Sequence, residues 1–494
     1  MKQKLWGRQN KPDSVISMDK LVEKPQLTFQ HKRKTWGKYH HFAVELAEVA
    51  KLAWPMVLTQ LGQVAMMTTD LALIGRIGPE ALAAAALGAT TYLVGFTLGV
   101  GLLAPIAPLA AQAFGAEDLA AVRRTLRMGL WAALLLSLPI MAFAFHGEQI
   151  LLACGEAPDV ARLAQQYLFG LAVGVVPALW FQGFRNFMAA VHRPQPVLWI
   201  TLGAIPFNAL MAYLLIYGRL GLPPLGLFGA GLASTFMNFA MLLAVLWFTT
   251  MRRPFRDYHV LAHFWHFDWP FMQRLIVTGI PISLIVLLEY GLFSAAGLLA
   301  GLVSVSALTA HQIAFQVDLM LFVVPLGIST AAAVRVGHAV GRGDGPGVKR
   351  AGLIAILLGI LAAALLTTAV VAMRFQITGL FLDQTADGTG ATTELAANLL
   401  LIGASFFISD AAQHIAAGGL RGLKDTRIPL LFACIANWAI GFTLSYVLGL
   451  KIGLGAIGIW IGLSIGTTVY AGFLVLRFLL LASRFALQRC PSIS

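Results

Sequence analysis

The sequence predicts an all-α membrane protein of twelve transmembrane helices arranged as two pseudo-symmetric six-helix lobes, and three observations predict it. Of 494 residues, 58% are hydrophobic and only 12% are charged, against roughly 45–50% and about 25% in an ordinary soluble domain. Apolar runs of the length that crosses a hydrocarbon core, about 20 residues, recur twelve times along the chain. The second half repeats the first. A soluble enzyme, a nucleic-acid binder and a secreted disulfide scaffold are all excluded. The net charge of +13 is spread between apolar runs instead of gathering on a solvated face. Cys154, Cys434 and Cys490 are too few and too scattered for a disulfide framework or a zinc site.

The elements follow in order from their polar punctuation. Residues 1–46 carry ten Lys or Arg and no apolar stretch long enough for a signal peptide, so they read as a basic cytoplasmic tail. Span 1 (47–73) and span 2 (84–110) flank Arg76. Spans 2 and 3 (128–146) flank Arg123, Arg124 and Arg127. Arg162 opens span 4 (161–190), and Arg193 separates it from span 5 (197–217). Arg219 precedes span 6 (227–250). A loop at 251–274 with Arg252, Arg253, Arg256 and Arg274 leads to span 7 (275–301) and span 8 (307–334). Arg335, Arg342, Lys349 and Arg350 precede span 9 (351–373). Arg374 precedes span 10 (395–419), and Arg421, Lys424 and Arg427 precede span 11 (428–449). Lys451 precedes span 12 (455–480), and residues 481–494 form a second cytoplasmic tail.

With both termini inside, thirty of the 35 Lys and Arg fall on the cytoplasmic side and five outside, as the positive-inside rule requires. Dropping or adding one internal span would swap the sides of every later loop and destroy that bias. The protein is therefore expected in the cytoplasmic (inner) membrane.

A shift of 226 residues aligns the halves without a gap. Pro55 falls on Pro281, Gly75 on Gly301, Gly101 on Gly327, Gly115 on Gly341, Asp118 on Asp344, and Arg123-Arg124 on Lys349-Arg350. A shift of 233 then places Pro196 on Pro429 and Tyr213 on Tyr446. Six spans per half is an even number, so the lobes enter the membrane in the same direction about an axis along its normal. The expected lobes are 47–250 and 275–480, with a path between them.

Four carboxylates stand inside the spans, where each costs roughly 2.5–3.5 kcal/mol on insertion scales and marks a functional candidate. Asp70 lies toward the outer side of span 1; Glu289, Asp318 and Asp410 share a middle depth in spans 7, 8 and 10. With no intramembrane Lys or Arg expected beside them, they must hold a proton, a metal cation, a cationic substrate or each other through a shared proton. The scaffold repeats but the charges do not: Gln63 aligns with Glu289 and Pro177 with Asp410. His414 follows Asp410 by one helical turn, so a proton relay through Asp318 and His414 is one expectation and a packed neutral histidine is another. In the inter-lobe loop, His259, His263, His266 and Asp268 have metal-ligand spacing, although RRPFRDYHVLAHFWHFDW reads more simply as an amphipathic helix on the inner membrane face. GRGDGPG at 341–347 lacks the strand and spacing of a phosphate loop and reads as a turn.

Four stretches carry a resemblance over residues 45 to 480: TDLALIGRIGPEALAA at 69–84, ALTAHQIAFQ at 307–316, PLGISTAAAVRVGHAVG at 325–341 and SDAAQHIAAGGLRGLKDTRIP at 409–429. They resemble the multidrug and toxic compound extrusion (MATE) family, in its bacterial NorM-type branch. The resemblance implies an antiporter, not an enzyme, that exports amphipathic organic cations in exchange for inward Na+ or H+. It implies no cofactor, no nucleic acid partner and a monomer in the lipid bilayer. Asp70 matches the family's first-lobe acid; Glu289 and Asp410 match the acids that form its cation site, the one place where Na+ is expected. Phe406 stands where the family often has a tyrosine, and Ala212 replaces the second asparagine of a pair whose first is Asn208. Gln63, Asn208, Phe406 and Gln312 are expected to line the substrate cavity. The alternative within the wider superfamily is a lipid-linked precursor flippase, whose cavity should be basic. A membrane enzyme or receptor would need a catalytic constellation or a soluble domain, and a major-facilitator transporter a GxxxDRxGRR-type stretch; the sequence shows none of these.

Overall fold

A computed structural model describes residues 38–219, 221, 223–253, 255–258, 264–382 and 389–488. Most of the expected tail, His259, His263 and residues 489–494 lie outside the described residues. The first half comprises α1 (Lys38–Gly75), α2 (Pro79–Leu103), α3 (Ile106–Gly115), α4 (Leu119–Phe145), α5 (Gly147–Ala153), α6 (Pro158–Ala172), α7 (Val175–Ala190), α8 (Gln195–Tyr217) and α9 (Gly226–Met251). The second comprises α10 (Trp269–Val303), α11 (Val305–Arg342), α12 (Gly345–Ala372), α13 (Arg374–Phe381), α14 (Thr389–Gly422), α15 (Arg427–Ala433), α16 (Thr443–Tyr446) and α17 (Gly455–Gln488). Among the described residues there is no strand.

Among the described residues eleven helical segments are long and apolar enough to cross a membrane, and the pair α6 and α7, bent by 51°, makes the twelfth. Pro177 explains the bend. It has no N–H to give the carbonyl of Val173, and the ladder breaks there, within the span expected at 161–190. The expected span ends fall short of the helices. α4 begins at Leu119 and α1 at Lys38, because polar residues at helix ends sit in the headgroup region where hydropathy gives no signal.

The duplication is visible atom by atom. Asp118 accepts a hydrogen bond from the Ala121 amide at 2.9 Å and caps α4; the matched Asp344 accepts from Gly347 at 2.8 Å and caps α12. Each short element follows in its place, α5 after α4 and α13 after α12. Between the halves the matched glycines make matched contacts. A Cβ on Gly115 would stand 3.0 Å from His338 Cα, and one on Gly341 would stand 3.0 Å from the carbonyl carbon of Gln112. Gly101 likewise faces Ser283 while Gly327 faces Val57, and both pairs obey the 226-residue shift. Such close backbone approach needs small residues.

These contacts join the halves at one end. The largest buried apolar cluster takes Val49, Leu52 and Ala53 from α1 and Ala110 and Ala111 from α3, and packs them on Ala331, Ala332 and Val336 of α11. That end carries the Arg-rich loops. At the other end the cores are separate: one holds Ala84, Leu171 and Leu215 of the first half, the other Leu299, Ala310 and Trp460 of the second. The same end as the shared core holds an ion pair, Arg335 Nε and Nη2 to the Glu45 carboxylate at 2.9 and 2.7 Å. At the matched positions stand Leu109 and Phe271, packed in an apolar cluster.

The inter-lobe loop departs from expectation in its last part. Phe255–Tyr258 is a single helical turn, and residues 259–263 lie outside the described residues. Phe264–Asp268 is turn and extended chain instead of an amphipathic helix. Trp131 of α4 stacks on Phe264 at 5.5 Å and donates to its carbonyl at 2.9 Å. Asp268 caps α10 through Phe271 N and pairs with Arg124 at 3.2 Å, so side-chain docking competes successfully with local helix formation. No metal-holding group of His, Cys, Asp and Glu occurs among the described residues.

Candidate functional site

A cavity of about 410 Å³ lies between the halves. From the first half it is lined by Gln60, Gln63, Gln182 and Arg185; from the second by Glu289, Asp318, Phe406, Asp410, His414 and Arg421. α10 carries Glu289, α11 Asp318, and α14 both Asp410 and His414. The i,i+4 spacing places the last two on one helix face.

His414 joins the two coupling candidates. Its Nε2 lies 3.4 Å from Glu289 Oε2 and its Nδ1 3.3 Å from Asp410 Oδ1. Nδ1 also faces the Asp410 backbone carbonyl at 3.0 Å, an acceptor only, so the neutral ring carries its proton on Nδ1 and leaves Nε2 open toward Glu289. Gln413 Nε2 donates to Asp410 Oδ1 at 2.9 Å. Phe322 closes on the imidazole edge-on at 4.6 Å. The backbone at His414 is held by Ser329, which donates to the His414 carbonyl at 2.5 Å and accepts from Arg421 Nη2 at 3.1 Å.

Above this row sits an aromatic wall. Phe293 packs on Phe315 at 4.6 Å and on Phe406 at 5.6 Å, and Phe406 packs on Trp460 at 5.7 Å. Phe406 thus offers the cavity a ring edge and no oxygen. Phenyl walls beside carboxylates suit ligands with an apolar body and a positive charge.

Two guanidinium groups correct the expectation that no intramembrane Lys or Arg accompanies the acids. Arg185, inside the span expected at 161–190, donates from Nη1 to Gln60 Oε1 at 2.6 Å and Gln63 Oε1 at 3.2 Å. Arg421 reaches the cavity from the end of α14. Both stand within two turns of a helix end, and their long stems carry the charge inward to a polar chamber instead of outward to the interface. The sequence signal that finds Arg185 is its place inside an apolar span, where a lone cation needs a wet or polar neighbour.

The remaining candidates separate. Gln63 and Phe406 line the cavity. Asp70 and Asn208 do not; they form their own centre in the first half, where Asn208 Nδ2 donates to Asp70 Oδ1 at 2.6 Å and Ser234 Oγ to Asp70 Oδ2 at 3.3 Å. Gln312 is exposed, on the α10 side near Gly297. Its expected place in the cavity is corrected by helix phase: it is six residues from Asp318, which at about 100° per residue puts it on a different face of α11.

A membrane bundle of two like halves, joined at one end and enclosing a cavity with charged walls, has the architecture of a carrier. The chain belongs to the MatE family, whose model matches residues 55–214 and 281–447, one copy in each half. It is 57% identical over 445 residues to the "Probable multidrug resistance protein NorM" of Bradyrhizobium diazoefficiens, covering 90% of this chain and 95% of that one. It is 52% identical to the protein of the same name from Rhodopseudomonas palustris, covering 90% and 93%. Among solved structures, one titled "Crystal structure of MATE in the bent conformation" superposes with a TM-score of 0.81 at 18% identity, covering 90% and 98%, a likeness of fold.

Proposed function

We propose that this protein is a multidrug efflux transporter of the cytoplasmic membrane that exports amphipathic organic cations in exchange for an inward-moving cation, Na+ or H+. The observation that carries the reading is the row Glu289, His414, Asp410 on the wall of the inter-lobe cavity. The drug-resistance names of its relatives support it. The Arg-rich end lies in the cytoplasm and the protein works as a monomer, since both lobes and the path between them belong to one chain. The lobes, 47–250 and 275–480, rock about the shared core.

Coupling follows from charge. Two carboxylates in a low-dielectric wall cannot both stay ionised without a partner, so the row carries a coupling ion or faces a cationic drug. Inward ion binding thereby displaces drug outward. His414 already occupies the space between Glu289 and Asp410, and Phe406 supplies no hydroxyl, which favours H+ over Na+. The reading assigns no cofactor and no enzymatic step. A lipid-linked precursor flippase is not favoured: its polyphosphate would meet Glu289, Asp318 and Asp410 on the cavity wall.

Efflux of a fluorescent organic cation from proteoliposomes tests this, with a proton or a Na+ gradient imposed alone. Asp410→Asn is expected to abolish gradient-driven efflux while the protein inserts and remains monodisperse. Normal efflux by that variant removes Asp410 from the mechanism.

A further inference from the structure

A second, much smaller chamber lies on the α12 side of Asp410. Its volume is about 10 Å³, room for about one water molecule. Asp318 and Asp410 line both this chamber and the large cavity; Thr367 and Leu321 line the chamber alone. Its remaining walls are apolar, among them Phe407 and Leu366.

Three polar groups there lack partners. Thr367 Oγ is buried and has no hydrogen bond, although Thr59, Thr68 and the adjacent Thr368 each donate to the carbonyl four residues back at 2.7 to 2.9 Å. That local bond is available to any helical threonine. The Asp318 carboxylate, on a residue only 6% exposed, receives no hydrogen bond among the described residues. The Leu321 carbonyl loses its helical donor because Pro325, four residues on within α11, has no N–H. Thr367, Leu321 and two aspartates therefore border one water-sized space, and a buried hydroxyl left without a partner beside two carboxyl groups marks the place of a missing small ligand.

We propose that this chamber is the resting place of the transported proton: one water, held by Thr367 Oγ and the Leu321 carbonyl, carries a single proton shared between Asp318 and Asp410. The inference rests on the antiport reading and locates its ion. Like charges across one water cannot both ionise, so the pair retains one proton in its loaded state. The groups facing the pair are His414 and Glu289 on the cavity side; Arg421 lies farther along α14, bonded to Ser329. The proton arrives on Glu289, passes to His414 Nε2 as Nδ1 releases its own to Asp410, and comes to rest with the water between Asp410 and Asp318. Every bond broken is an N–H or O–H and every bond formed is another, with no net chemistry. When a drug cation reaches Glu289 and Asp410, the shared proton leaves, and the charge in the lobe stays constant.

Proton release on binding tetraphenylphosphonium, measured with a pH dye in weakly buffered detergent alongside the infrared signal of protonated carboxyl groups, tests the assignment. Wild type should release about one proton per bound cation and lose one protonated-carboxyl signal. Asp318→Asn should release none and lack that signal. Thr367→Val, which keeps shape and removes the hydroxyl, should move the pH midpoint of release by about one unit. Release by Asp318→Asn at the wild-type level overturns the chamber while leaving antiport standing, as does release of bound radioactive Na+ in place of a proton. A wild-type protein that binds no tetraphenylphosphonium overturns both readings. Should Asp318→Asn fail to fold, an unmoved midpoint in Thr367→Val overturns the proposal by itself.

Discussion

The two cavity walls occupy equivalent places in the repeat and use opposite chemistry. On the first-half wall, Gln63 and Gln60 hold the guanidinium of Arg185. On the second-half wall, the residue aligned with Gln63 is Glu289, and it faces the imidazole of His414. A guanidinium bonded to amide oxygens keeps its proton at every physiological pH. A carboxylate, an imidazole and a second carboxylate in a row exchange protons readily. The halves share one scaffold, and differences at several aligned positions, Gln63 against Glu289 and Pro177 against Asp410 among them, put different charges on the two walls. Both lobes supply the shape of the cavity, and the carboxylates on its wall come from the second alone.

The strongest way to break the comparison is to make the walls alike. Glu289→Gln copies the first-half residue into the second half and leaves an amide, which cannot take up a proton, at His414 Nε2; gradient-driven efflux in proteoliposomes should fall by about tenfold or more. Retained coupling would show that the asymmetry of the walls is incidental. A smaller effect is expected from Arg185→Gln. Removing a fixed positive charge from a cavity that receives cations should strengthen binding by roughly 1.1 kcal/mol, about sixfold, for a charge ~10 Å away at an effective dielectric near ~30 in a wet chamber. Fluorescence titration of a dye cation checks the sign; unchanged or weaker binding would mean that Arg185 serves the drug through packing or through an anionic group on it.

The smallest effect concerns the end where the halves join. His192, in the turn after α7, stacks on His338 of α11 at 4.1 Å, and His338 Nε2 bonds the Ala190 carbonyl at 2.6 Å. Burial first, then Arg335, Arg342 and Lys51, push the His192 pKa down from 6.5 to about 4. Separated lobes would return it toward 6.5, so the separated form binds the proton more tightly. The joined form is at full strength above 6.5 and weakens as pH falls from 6.5 toward about 4. Protection factors for amide exchange in residues 110–116, taken against the intrinsic rate at each pH, should fall over that window, and His192→Gln should flatten the dependence. A flat profile in wild type would assign the joint to the glycine contacts and the Arg335–Glu45 pair alone.

Much of this was legible beforehand, and the reasons differ by residue. Hydropathy and the Lys and Arg bias located the twelve spans, because burial in lipid and loop charge are both local properties of the chain. Asp70, Glu289, Asp318 and Asp410 stood out because a carboxylate in an apolar run is costly wherever it points. Arg185 and Arg421 count among the cytoplasmic charges in the sequence: hydropathy locates a Cα and says nothing of where a long stem carries its charge. Gln312 was assigned to the cavity and lies on another face of α11, since residue type does not fix helix phase. His414 was suspected from spacing, and its position between two carboxylates on different helices was not.

By itself the sequence determined the class: the helix count, the tandem halves and the acids that need a partner in lipid follow from composition, periodicity and self-alignment. Only the tertiary structure decided which charges meet. It brought Glu289 of α10 to His414 of α14, gave Arg185 two glutamines from α1, and left Thr367 without the bond its neighbour Thr368 makes. Helix formation is set by residues within a few turns of one another. Helix rotation and neighbour choice are set by packing across the whole bundle, where a few glycines decide how closely two backbones approach.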